Sequence, residues 1–319
     1  MKSMLKKILP GTVKRGIKRL LGIPIPENIH KEVYSAYAGK TIQEGQAAGD
    51  IIYEQLASGR PLMVARIGST EQSCLTNYIH LRQGKAKEWN PVVVAEMWHA
   101  SGFFSNTPPM LERFCELFEQ SLTTVDTLGV WFLPGERYIC ENICPQASFI
   151  HLKDIEPYYH PQPWSRILEG KKVLVIHPFA QTIARQFAQN RTKLFANPAV
   201  LPPFELQTIT AVQSITYNRP EFATWFDALD HMSNQAAALD FDIAIIGAGA
   251  YGLPLAARIK AMGKQAIHMG GATQVLFGVM GRRWEQMPFF QQMMNEYWAR
   301  PTGSEKPPKA DTMEGGAYW

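Results

Sequence analysis

No apolar run in these 319 residues approaches the length that crosses a bilayer. Cysteine is scarce: there are four, Cys74, Cys115, Cys140 and Cys144, and only the last two are close, at a spacing that is not C-x-x-C. That pattern excludes a disulfide framework and a zinc site and reads as reduced thiols in a cytosolic protein. Acid is missing from residues 1–26, which carry Lys2, Lys6, Lys7, Lys14, Arg15, Lys18 and Arg19. The chain holds 32 basic against 28 acidic residues, so without those seven its body is net −3. A body of that charge is not a basic nucleic-acid binder, and no nucleic-acid partner is expected. With 46% hydrophobic and 19% charged residues, this is an ordinary globular chain rather than a disordered one.

The basic stretch has apolar residues at helical spacing: Met1, Met4, Leu5 and Ile8, then Val13, Ile17, Leu20 and Leu21 beyond Pro10-Gly11. It lacks the continuous apolar centre of a secretory signal. Two readings stand. One is a basic amphipathic helix lying on an anionic membrane surface, which would make the protein cytoplasmic and peripheral on the inner face of the membrane. The other is a helix packing its apolar stripe on the body or on a partner chain.

The centre of the reading is Phe241 to Trp284. Ile243 to Ile246 is a short apolar run that suits a buried parallel strand. Gly247, Gly249 and Gly252 follow at GxGxxG spacing, with Tyr251 inside the turn. A helix then runs to a C-cap at Gly263, and Gln265 to Met269 reads as the next strand. In such a βαβ unit the glycines let backbone approach a ligand, and the helix start offers N–H groups to a diphosphate. The acid that would hold a dinucleotide ribose about twenty residues on is lacking: that strand carries His268 and then Gly270-Gly271. This counts against a dinucleotide-dependent oxidoreductase. The plainer alternative is that the glycines only allow helix and strand to pack closely.

Leu62 to Ala65 reads as the first strand and runs into Arg66, Gly68, Ser69, Thr70 and Glu71, where a helix begins. Strand C-terminal edges are where open α/β sheets bind ligands. Arg66 suits a phosphate, and Glu71 suits a metal, a sugar hydroxyl or a proton. The structural alternative is a helix cap with an Arg–Glu pair. Further strands are expected at 128–133, 149–152, 172–176 and 206–210, and helices at 41–58, 110–122 and 220–238. Thr41 with Glu44 offers a capping box for the first of these helices. His177 falls at another strand end, as a phosphate contact or a base. Asp154 and Glu156 form an Asp-x-Glu after a strand; a solvated loop before Pro157 is the favoured reading over a metal site. His99, His151 and His160 are isolated and read as surface or satisfied core histidines. Strands interleaved with helices imply an α/β fold with a Rossmann-like, doubly wound, mostly parallel sheet. Arg66 to Glu71, His177 and Gly247 to Gly252 would then share one rim.

The segments VARIGSTE, VLVIHPF, TWFDALDHM and FDIAIIGAGAYGLPLAARIKAMGKQAIHMGGATQVLFGVMGRRW together resemble the GT-D-fold glycosyltransferase-like family, over roughly residues 60–300. The resemblance implies a GT-D-type Rossmann-like domain that binds a nucleotide sugar, typically a UDP-sugar, often with a divalent metal, manganese or magnesium. Characterised members carry Arg-x-Gly-Asp-Gly-Glu after the first strand, its two acids serving the metal–diphosphate site. Here Arg66, Gly68 and Glu71 match, while Ser69 stands for the acid and Thr70 for the glycine.

The expected protein is therefore a glycosyltransferase using a UDP-sugar donor and a polysaccharide, glycan or glycolipid acceptor. Glu71 and His177 are the candidate catalytic residues, and Glu71 the candidate metal ligand. Arg66, Gly68, Ser69, Gly247, Gly249, Tyr251 and Gly252 are the candidate nucleotide-sugar contacts. A non-catalytic nucleotide-sugar-binding protein of the same fold is the alternative. Residues 27–300 form one α/β domain and 301–319 a C-terminal tail, loose in its middle, whose last aromatic pair either docks on the body or frays.

Overall fold

A computed structural model describes residues 37–313 and 315–319; the expected amphipathic segment 1–26 lies outside them. Its frame is seven parallel strands: β1 (Leu62–Arg66), β2 (Thr127–Val130), β3 (Ser148–His151), β4 (Lys172–His177), β5 (Glu205–Thr210), β6 (Ile243–Ile246) and β7 (Gln265–His268). They lie in the order β3-β2-β1-β7-β6-β4-β5. Parallel strands covered on both faces must be apolar on both faces, and alternate residues divide accordingly. Met63, Ala65, Leu174, Ile176, Ala244 and Ile246 enter one core. Leu62, Val64, Val173, Val175, Ile243 and Ile245 enter the other.

The principal helices are α1 (Gln46–Ala57), α2 (Ser69–Arg82), α3 (Pro91–His99), α4 (Pro108–Leu122), α5 (Glu136–Asn142), α6 (Ala180–Leu194), α7 (Trp225–Ala237) and α8 (Gly252–Ala261). Through Cys74 and Leu75 of α2, Phe114 and Phe118 of α4, Leu229 of α7 and Leu255 of α8, four helices cover the first face. Ala48 and Ile52 of α1 and Ile183 and Leu194 of α6 cover the second. Two buried thiols, Cys74 and Cys115, join α2 to α4 at 3.6 Å between sulfurs. Among the described residues no helix is long and apolar enough to cross a membrane.

The winding positions the site. The helix after β6 packs on the first face and the helix after β4 on the second, although β4 and β6 are neighbours. The chain thus parts in opposite directions at their C-terminal edge, which opens a crevice there. On the other side β7 bridges β6 to β1, pairing Ile246 with His268 and Val64 with Ile267.

Two expected helix starts and the character of the tail differ. The helix foreseen at 41–58 begins at Gln46, after Gly45 in the left-handed region at φ 64°. Residues before it are drawn to the edge of β3, where the Gln43 N–H donates to the Phe149 carbonyl and His151 N–H to that of Gln43. The helix foreseen at 220–238 begins at Trp225, because Thr224 and Asp227 close a capping box there. The tail is also more ordered than a loose linker: Ala310, Met313, Ala317 and Trp319 are buried.

Candidate functional site

A cavity of about 330 Å³ opens at the C-terminal edge of β1, β7, β6 and β4. Arg66, Gly68, Ser69, Glu71, His177, Gly247, Gly249 and Tyr251 all line it, although they come from three separated stretches of chain. Gly252 does not line it.

Arg66 ends β1 and turns its guanidinium into this space. Nη2 donates to the Ile67 carbonyl at 3.2 Å, and the group lies 4.9 Å over the Trp131 ring. Nε is buried with no hydrogen-bond partner, and no carboxylate lies within ion-pairing distance among the described residues. Room for the group comes from Gly270, at φ 63°, where a Cβ would stand 3.2 Å from Nη1. A largely buried cation with an unused donor and no carboxylate in ion-pairing contact has the chemistry to receive an anion.

Glu71 is in the first turn of α2 and is 7% exposed. Its carboxylate folds back over Gly68, where an added Cβ would lie 1.9 Å from Oε2. Gly68 therefore serves Glu71 before any ligand: a side chain there would expel the carboxylate. Burial pushes the Glu71 carboxyl up, against the pull of its own backbone N–H, Arg66 and the Ser101 hydroxyl. Among the described residues it is the sole acidic side chain lining the cavity.

Two histidines face the crevice, and both are buried neutral, pushed down to about 3 by burial. His177 Nδ1 accepts from the Phe179 N–H at 2.9 Å, so the ring hydrogen sits on Nε2. His268 Nδ1 lies 3.3 Å from the Ile246 carbonyl, an acceptor only, so there the hydrogen sits on Nδ1. The two rings hold opposite tautomers. With so low a pKa neither is a base near neutral pH. His177 instead offers an Nε2–H donor.

This has a consequence for acid stability. Below the ordinary histidine value of 6.5 the unfolded chain protonates both rings and the folded chain does not, so stability falls as pH drops toward 3. Glu136 and Glu156, pushed up to about 7 by burial, act oppositely, contributing stability below 4.5 that is lost as pH rises through 7. The pairs offset each other between 4.5 and 6.5. Below pH 4.5 the histidines act unopposed by that pair, and urea titrations should show them removing up to about 3 kcal/mol per pH unit. His177→Gln should take away about half of that slope.

The glycine turn works mainly through packing. A Cβ on Gly247 would meet the Gly270 carbonyl oxygen at 2.5 Å and the His177 ring at 2.6 Å. One on Gly252 would meet His268 Cε1 at 2.0 Å. Gly249 is at φ 52° and faces the Ser101 carbonyl. Four amides of the turn are already used: Gly247 N–H donates to Ile176, Ala250 N–H to Ser101, Tyr251 N–H to Ala248 and Gly252 N–H to Gly249. Tyr251 is buried flat against Trp225, centroids 4.6 Å apart and planes within 5°.

The Asp-x-Glu lies elsewhere. Asp154 accepts from the Gly45 N–H at 2.9 Å, and the Glu156 carboxylate accepts the Tyr158 hydroxyl. Neither lines the cavity. Among the described residues no group of three or more His, Cys, Asp or Glu is placed to hold a metal ion. A resident divalent ion does not fit a wall with one carboxylate, itself folded onto a helix start.

Several wall residues went unforeseen. Arg283 lines the cavity and donates to the Tyr318 hydroxyl at 3.1 Å. Met313, Tyr318 and Trp319 bring the tail into the wall. Tyr318 drops into the notch left by Gly271, where a Cβ would be 2.3 Å from its ring. Glu305 fixes the tail by accepting from the Thr182 amide at the start of α6. The one sequence signal for this docking was a terminal Tyr-Trp after a charged, Gly-rich run.

The fold and site together define an α/β protein with a single parallel sheet and a cavity at its switch point lined by Arg66. No protein-family model matches the chain, and no curated protein matches it. Among solved structures, one described as a selenomethionine-substituted domain of unknown function 1792 is similar over 81% of this chain and 95% of its own, with 13% identity and a TM-score of 0.44. Another, whose description gives that same domain a distinct glycosyltransferase fold, is similar over 72% and 78%, with 14% identity and a TM-score of 0.40.

Proposed function

We propose that this chain is a glycosyltransferase that moves a sugar from a nucleotide donor of the UDP-sugar type to a polysaccharide or glycoconjugate acceptor. The observation that carries the reading is Arg66: a guanidinium with a buried, unused Nε and no close carboxylate, facing a cavity at the switch point. The sequence resemblance supports the same reading. Arg66 and the His177 Nε2–H hold the diphosphate and stabilise the charge that grows on the departing nucleotide. The acceptor hydroxyl attacks the anomeric carbon, the bond from that carbon to the phosphate oxygen breaks, and Glu71 takes the hydroxyl proton. A carboxyl raised by burial is better matched to that task than an ordinary one. Residues 1–26 would hold the protein on an anionic membrane surface.

The test is thermal unfolding with UDP and a panel of UDP-sugars, each with manganese and with chelator. UDP at a hundredfold excess over its Kd should raise Tm by about 4 °C in both conditions, because the cation in this site is an arginine. Glu71→Gln should keep that shift and lose most turnover. No stabilisation by any nucleoside diphosphate would overturn the reading. Stabilisation without transfer or hydrolysis would leave a nucleotide-sugar-binding protein.

A further inference from the structure

Next in the chain to two segments that line the cavity stands an aromatic cluster that the donor chemistry does not use. Ala100, Ser101 and Gly102 line the cavity on one side, and Ser214 and Ile215 beside them. The Ser214 hydroxyl donates to the Gly102 carbonyl at 2.6 Å, which locks the two segments together. One residue before the first segment stands His99; two beyond the second stands Tyr217. Their rings are 5.4 Å apart, and the Tyr217 ring is 5.8 Å from Trp98. Tyr217 is 52% exposed, more than any other large apolar side chain described.

The backbone that presents this ring is strained. Thr216 and Tyr217 are consecutive non-glycine residues at φ 56° and 60°. Each costs about 1–3 kcal/mol in that region and persists only where its surroundings over-determine it. Here they do: Thr216 N–H donates to the His99 carbonyl, its hydroxyl to the Pro308 carbonyl, and Asn218 receives Trp98 Nε1–H. A chain with no use for an exposed tyrosine would relieve the strain with glycine.

We propose that Trp98, His99 and Tyr217 form a docking platform for a sugar ring of the acceptor glycan, at the rim of the donor cavity. The proposal rests on the glycosyltransferase reading above. Its chemistry is specific to carbohydrate. A pyranose has a face of C–H groups that lies on an aromatic ring and an edge of hydroxyls that needs polar partners. Glu96 on the exposed side of α3 supplies a carboxylate, and Arg219, whose guanidinium lies 5.5 Å over Trp98, supplies donors. An apolar helix or a lipid chain would cover both without offering either a hydrogen-bonding partner. His99 and Tyr217 adjoin the cavity-lining segments 100–102 and 214–215, which places the platform next to the donor cavity.

The experiment compares the wild-type chain with Tyr217→Gly on an array of immobilised oligosaccharides, with UDP present, beside UDP melting curves for each. Tyr217→Gly should weaken glycan retention by about tenfold or more. Its UDP shift should be unchanged, and its Tm equal to or above that of wild type because the strain at 217 is gone. A merely structural tyrosine would lower Tm on removal. Equal retention by the variant, or a wild-type chain that retains no glycan, overturns the platform. Glycan retention that is lost in the variant, with no UDP shift in either chain, would sustain the platform and remove the donor assignment.

Discussion

Arg66→Ala should cut UDP affinity by about a hundredfold, the effect of losing two charge-assisted hydrogen bonds to a diphosphate. Calorimetric titration reads this directly. The apo protein should barely notice the change. Arg66 has no ion-pair partner to strand, and its contact with Trp131 is worth about 0.5–1 kcal/mol at most. Against that loss, the substitution removes a buried Nε with nothing to donate to. Apart from the loss of its field on the buried Glu71, Glu136 and Glu156 carboxyls, apo stability should therefore move by about 1 kcal/mol or less in either direction. Arg66→Lys keeps the charge but not the fork, and should recover only part of the affinity. A variant that binds UDP as wild type does would remove the anion site from this crevice. A variant that unfolds would mean that Arg66 holds the fold rather than a ligand.

Gly252→Ala should destabilise the protein by about 3 kcal/mol, which inverts the ordinary rule. Gly252 has helical backbone angles, φ −58° and ψ −48°, at the start of α8. Alanine in a helix is normally better than glycine by about 1 kcal/mol. Here the new methyl would stand 2.0 Å from Cε1 and 2.3 Å from Nδ1 of His268, a buried ring fixed to the Ile246 carbonyl. Either the ring leaves its place beside Arg66 or the helix start lifts from the sheet. Adding His268→Ala should recover much of the loss, a coupling of about 2 kcal/mol in a double-mutant cycle followed by urea unfolding. Simple additivity, or a stabilised single variant, would show that His268 does not fill the space under this turn.

Gly252 also marks how far the sequence could be read. The strands were legible because parallel strands buried on both faces are written as short apolar runs, and LMVA, VLVI and IAII are such runs. The residues at their ends, Arg66, His177 and Gly247, could be named for the same reason. Strand order was not legible: nothing local says that β1 lies against β7, far along the chain. Helix α3 was hidden by Val92, Val93 and Val94, β-branched residues that favour strand, and is started by the Asn90 side chain and Pro91. The glycines were seen, and close helix–strand packing was one reading of the 247–252 turn, but not which side chains they admit. Gly68 makes room for Glu71, Gly252 for His268 and Gly271 for Tyr318, and a missing Cβ does not announce which atom will fill its place.

The pairing of β1 with β7 also governs how the molecule can be made. These adjacent central strands are about 200 residues apart in the chain. During synthesis β1 must wait roughly 10–40 s for its neighbour to leave the ribosome, at ordinary elongation rates. Through that interval one flank of a hydrophobic strand has no partner, the condition that invites mispairing and chaperone capture. The site, which straddles that seam, is consequently among the last parts of the protein to exist.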